Sequence, residues 1–155
     1  FCEPVNQLPN LYHGQKYFGD ILSEAYLEEV LFKRLAIKYD LKRMNLERIL
    51  KSKQFFEEIK DILDEFSYLL GVACSSLNKI TNPELMVISG RVVDSSSYIF
   101  NRIVDFIEQS VRDVPFLKAE IRKGKLAKRA SLQGTIALAL QVIFESRTAI
   151  SKKTF

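Results

Sequence analysis

Asn82-Pro83-Glu84-Leu85-Met86-Val87-Ile88-Ser89-Gly90 is the stretch on which the fold turns. Proline lacks an N–H and biases the residue before it away from helical angles, so a helix arriving from upstream must stop at Asn82. Leu85 to Ile88 is a short, continuous apolar run of the kind that forms a strand covered on both faces. Ser89-Gly90 then turns the chain into another helical pattern. Helix, strand and helix in this order make the crossover unit of α/β folds, whose ligands sit at the carboxyl ends of strands.

Upstream, the longest apolar pattern occupies residues 54–80. Phe55, Ile59, Ile62, Phe66, Leu69, Leu70, Ala73, Leu77 and Ile80 recur at helical spacing and predict one continuous buried stripe. Acids and lysines fill the other face of its first half. Its second half is apolar or small nearly all round, as in a helix entering a core, and Gly71, Ala73, Ser75 and Ser76 allow another element to approach. Before it, residues 23–39 predict a helix capped by Ser23 and carrying Leu27, Val30, Leu31 and Leu35, and residues 45–52 a shorter one.

Downstream, Asp94 or one of Ser95 to Ser97 caps a helix with the stripe Ile99, Ile103, Phe106, Ile107, Val111 and Val114, ended by Pro115. Residues 116–121 alternate as a half-exposed strand. A basic loop over 122–129 leads to a last helix over 130–146. The domain reading is an irregular lead-in at 1–22, where prolines, asparagines and glycines break any period, one α/β domain at 23–146 and a polar tail at 147–155.

The totals suit a single soluble globular domain: 155 residues, 47% hydrophobic, 27% charged and a net charge of +4. So mild a charge fits weak attraction to phosphates and equally a solvated surface. Two cysteines, Cys2 and Cys74, make no disulfide framework, and Cys74 falls in a helical apolar pattern as a small buried hydrophobe. The absence of a signal peptide or a long apolar run gives a cytoplasmic reading with no membrane contact. The first residue is Phe, which indicates processing or a piece of a longer chain.

Helix, Asn-Pro-Glu, apolar strand, glycine turn, helix, strand, loop and glycine-containing helix: this order resembles the ROK family, which groups bacterial sugar kinases with sugar-responsive transcriptional repressors. The matching residues are Leu69-Leu70-Gly71-Val72-Ala73, the stretch 78–90, and Leu126, Ala127, Ala130 and Gly134, together covering residues 61–145. The resemblance implies an actin-like, ribonuclease-H-type ATPase fold, of which this chain is the helix-rich carboxyl-terminal part. Ser89 stands where the family has the first of two glycines, and Arg91 follows directly. Ala127 stands where the family has Gly, and Thr135 where it has Ala. Cys2 and Glu3 are the only echoes of the family's zinc motif and of the acid after it, and one cysteine cannot make a four-ligand site. The family's phosphate loop, catalytic Asp and Glu-x-Gly-His motif would all precede Phe1.

Ser89, Gly90 and Arg91 are therefore the candidate site, a vestigial nucleotide or effector turn at a helix N-terminus where unpaired N–H groups suit an anion; a plain strand-to-helix turn is the alternative. Glu3 is a candidate sugar contact set against an unstructured terminus. His13, the only histidine, carries no triad or metal role. The basic set Lys118, Arg122, Lys123, Lys125, Lys128 and Arg129 reads as a solvated loop, and Glu57 and Asp61 as a surface face rather than a catalytic pair. No catalytic residue, resident cofactor or metal is assigned. The departures favour the effector-binding or dimerisation part of a regulator, with a sugar or sugar phosphate as effector and DNA bound only through an upstream domain. The alternatives are the carboxyl-terminal part of an ATP-dependent sugar kinase and a helical interaction module whose match is accidental. A strand apolar on both faces with a single partner also predicts a homo-oligomer.

Overall fold

A computed structural model of the chain describes residues 17–114, 116, 117, 119–125 and 130–151. The candidates Cys2, Glu3, His13, Lys118, Leu126, Ala127, Lys128 and Arg129 lie outside them. The chain divides into two units at Gly124, the second beginning at Lys125, where the sequence predicts one domain continuous over 23–146.

The first unit runs α1 (Phe18–Ile21), α2 (Glu24–Leu35), α3 (Leu46–Lys51), α4 (Phe56–Thr81), β1 (Leu85–Ile88), α5 (Arg91–Ser95), α6 (Ser97–Val111) and β2 (Glu120–Lys123). Local chemistry sets most of the boundaries. Ser23 and Asn45 cap α2 and α3 by accepting from Tyr26 N at 3.2 Å and Arg48 N at 2.9 Å. Ser96, one of the candidates around Asp94, caps α6 by accepting from Ile99 N. Leu46 N, at the start of α3, donates to Glu28 Oε1 on α2 at 3.3 Å, which ties the two helices together. α1 and α5 are short turns of helix that no apolar period announces.

α4 ends at Asn82, which takes the left-handed conformation (φ 42°, ψ 58°) that asparagine tolerates, and its N–H bonds to Asn78 O at 2.8 Å. The chain is then free to start β1. Strands β1 and β2 pair in parallel, Leu85 opposite Glu120 through Ile88 opposite Lys123. Glu120 N to Glu84 O and Gly124 N to Ile88 O, each 2.9 Å, continue the ladder at its two ends. β2 begins later than the alternation over 116–121 predicts, and takes in Arg122 and Lys123, which read as loop.

The core lies between α2, α4 and α6. Leu27, Leu31, Leu35, Ile59, Ile62, Phe66, Ile99, Ile103 and Ile107 are among its fully enclosed side chains, each contributing about 1.5–3 kcal/mol by leaving water. α4 and α6 meet through small residues. A Cβ on Gly71 would fall 2.8 Å from the Phe106 ring, and Ser75 Oγ and Ser110 Oγ share a hydrogen bond.

Two expectations are corrected here. The stripe of α4 does not continue through Leu77 and Ile80, which are 56% and 80% exposed. Its last turns bury Gly71, Ser75 and Asn78 instead. The reason is the close approach of α6, which needs small residues and fixes which side of the helix faces inward. Likewise β1 is not covered on both faces: Met86 and Ile88 pack on the core while Leu85 and Val87 face outward, 44% and 57% exposed. Two strands and one layer of helices cover one side of a sheet only.

The second unit contains α7 (Ala130–Ser151), which extends into the expected polar tail. Its described side chains at 132–144 are exposed, with Leu132, Ile136, Leu140 and Phe144 among them.

Candidate functional site at the strand ends

Parallel pairing sets the carboxyl ends of β1 and β2 side by side and so brings Ser89 and Gly124 together. A Cβ on Gly124 would lie 2.6 Å from Ser89 Cβ and 2.8 Å from its Oγ, so the serine side chain occupies the space that glycine leaves open. Gly90 follows with φ +142°, ψ 157°, a backbone region that L-residues rarely adopt, and open space surrounds it. The glycine is there for its backbone and not for packing. Its carbonyl accepts from Asp94 N at 2.8 Å and starts α5.

Arg91 makes an ion pair with α2. Its Nε pairs with Glu24 Oε1 of α2 at 2.6 Å, a partly exposed ion pair that fixes direction more than it adds stability. Lys123, the last residue of β2, sends its Nζ to the backbone carbonyl of Asp94 at 3.4 Å and over the Phe100 ring at 5.9 Å. The Oδ1 atom of Asp94 is buried and has no partner among the described residues. Ser89, Gly90, Asp94, Lys123 and Gly124 thus form one polar crest, with Arg91 beside it.

Of the three residues read from the sequence, Ser89 and Gly90 stand at this crest. Arg91 points its charge to Glu24. Sequence reasoning missed Lys123 and Gly124, which it placed in a basic loop; only the strand register brings them here. Of the rest of that basic set, Arg122 pairs with Glu120 of its own strand, 2.6 Å through Nη2.

The crest offers an ammonium, a hydroxyl and a carboxylate without the hydrogen-bonded pair of nucleophile and base that covalent catalysis requires. The helix behind it, α5, has five residues, so its dipole adds little pull on an anion. No group of three or more His, Cys, Asp or Glu side chains among the described residues is arranged to hold a metal ion. Burial pushes the Cys74 thiol above its ordinary pKa, so it is not a ready thiolate. Asp61 pairs with Arg34 at 3.2 Å on the surface.

A strand, two helices and a parallel partner strand, with a glycine turn at the strand end, define an α/β crossover unit with polar side chains at its strand ends. The ROK family model matches residues 20–142, and the chain belongs to the ROK family. The match begins well upstream of the 61–145 span on which the sequence motifs lie. It also removes the reading of an interaction module with an accidental resemblance. The family includes sugar kinases and repressors and implies an actin-like ATPase fold, with which the helix-rich chain and its small parallel sheet are consistent. Neither a curated protein nor a solved structure matches the chain. No helix among the described residues is long and apolar enough to cross a membrane.

Proposed function

We propose that this chain is the effector-binding and dimerisation part of a ROK-type, sugar-responsive transcriptional regulator. The observation that carries the reading is the contact between Ser89 and Gly124. Where the family's paired glycines let backbone approach a nucleotide, a side chain fills the space between the two strand ends. Arg91 adds to this, because its guanidinium is committed to Glu24 and not to the turn.

A regulator needs only a sugar or sugar phosphate that binds two conformations unequally. A kinase must in addition hold Mg-ATP and align an attacking hydroxyl. Lys123 at the crest suits the anionic part of a sugar phosphate. On this reading the chain carries no resident zinc or ATP, and DNA is bound only through another domain of the protein.

The test is a thermal-unfolding panel of hexoses, hexose phosphates and Mg-ATP. A ligand present at ~100 times its Kd raises stability by about 2.7 kcal/mol, a clear rise in Tm. The reading expects a rise with a sugar or sugar phosphate and none with Mg-ATP. The opposite pattern favours the sugar-kinase alternative.

A further inference from the structure

We infer that the seam between α4 and α6 holds a ligand site of its own, one that takes a small hydroxylated carboxylate the size of a single sugar acid. A surface cleft of about 340 Å³ runs along the seam between Tyr68, Val72, Ser76 and Lys79 of α4 and Phe106 and Ser110 of α6. One wall is apolar. Tyr68 and Phe106 meet edge to face with ring centroids 5.2 Å apart, and Val72 lies one helical turn beyond Tyr68. Such a wall takes the C–H face of a ring, while a few polar groups set the ligand's orientation.

The other side is polar, and its hydroxyl protons are already committed. Ser76 Oγ donates to Val72 O and Ser110 Oγ to Ile107 O, each at 2.8 Å. The proton between Ser75 Oγ and Ser110 Oγ therefore comes from Ser75. A hydroxyl has one proton and two lone pairs, so Ser76 and Ser110 offer a ligand acceptance alone. Ser76 is exposed and Ser110 half-buried, whereas Ser75, 3% exposed, only backs the wall. The ligand must bring O–H donors. Water satisfies the oxygens but leaves the rings wet; a hydroxylated ring serves both.

Charge narrows the class further. Lys79, the last of the α4 residues along the cleft, is exposed and makes no ion pair among the described residues. At the other end, Tyr68 and Phe106 also border a smaller hollow with Asp64, Arg102 and Asp105. Arg102 pairs with Asp64 at 3.0 Å, which leaves the Asp105 charge uncompensated. One ammonium balances one carboxylate. A phosphate dianion would bring a second charge with only Asp105 to face it. The cleft, about 340 Å³, stands at the lower end of the roughly 300–1,000 Å³ of small-molecule sites, room for one ring and its substituents. The site shares no residue with the Ser89–Gly124 crest and does not rest on the regulator reading.

The probe is D-glucuronate, titrated into the ¹⁵N-labelled chain. Glucose is the analogue lacking the carboxylate, and cyclohexanecarboxylate the one lacking the hydroxyls. Saturable amide shifts are expected around Val72, Ser76, Lys79 and Ser110, with glucuronate the tightest of the three. Lys79→Met should weaken glucuronate about three- to fivefold, the scale of an exposed ion pair, and leave glucose unchanged. Ser76→Ala should weaken both sugars by a similar factor and spare cyclohexanecarboxylate. Both positions are exposed on α4, so both variants keep the fold. The proposal is overturned if glucuronate does not saturate, if either analogue binds as tightly, or if either substitution leaves glucuronate binding unchanged. Shifts centred on Ser89 and Gly124 would also overturn it, and would place the sugar acid at the crest instead.

Discussion

Ser89 and Gly124, 35 residues apart in the chain, close the carboxyl end of the sheet by fitting one side chain into the space the other lacks: a Cβ on Gly124 would meet Ser89 Cβ at 2.6 Å. The relationship is reciprocal, so it can be read by a double-mutant cycle. Gly124→Ala should destabilise the chain by about 1–3 kcal/mol through overpacking. Adding Ser89→Gly should restore most of that loss, because the clash is then absent. Urea unfolding of the four proteins measures the coupling, and strict additivity would show that the two residues do not touch.

Gly90 tests the turn by a different force. Nothing lies within 4 Å of the place a Cβ would take, so any cost of Gly90→Ala is backbone strain at φ +142°. The expected loss is about 1–3 kcal/mol. Unlike the loss at Gly124, it should not respond to Ser89→Gly.

On the far side of the core, Tyr98 Oη donates to Asp64 Oδ1 at 2.6 Å, and Arg102 Nε donates to the same oxygen at 3.0 Å. Burial, followed by the hydrogen bond to Asp64, pushes the Tyr98 pKa up to about 12 from an ordinary 10. A pKa raised on folding gives stability that is present in full below pH 10 and is lost as pH rises toward 12. Unfolding followed from pH 8 to 12 should show that decline, and Tyr98→Phe should flatten it. Absorbance titration should find one tyrosine ionising near pH 12.

Leu85 and Val87 present an apolar outer face on a sheet of two strands, and such a face invites association. Light scattering should show concentration-dependent dimers of the chain. Val87→Lys should shift them toward monomer while changing stability by no more than about 0.5 kcal/mol, as is usual at an exposed position. A native chain that stays monomeric at high concentration would refute the dimer.

What could be read in the sequence was local. Asn82-Pro83 stops a helix, Ser23 caps one, and Leu85 to Ile88 becomes a strand because each depends on a few neighbouring residues. What could not be read depended on partners. The periodicity that nominated Leu77 and Ile80 was blind to α6, whose approach turns Ser75 and Asn78 inward instead. The apolar run of β1 predicted two covers and found one. At the crest, Ser89 and Gly90 stood out as a turn, whereas Gly124 and Lys123 enter through the parallel register, which no stretch of sequence announces. The ion pair of Arg91 with Glu24, far upstream, is likewise a matter of partners that no stretch of sequence announces.

The proposed move of this family member from ATP chemistry to sensing, through Ser89, is tested most directly by calorimetric titration with Mg-ATP. No saturable heat is expected at millimolar nucleotide, with a sugar or sugar phosphate binding under the same conditions. Tight, saturable Mg-ATP binding by the native chain would contradict it.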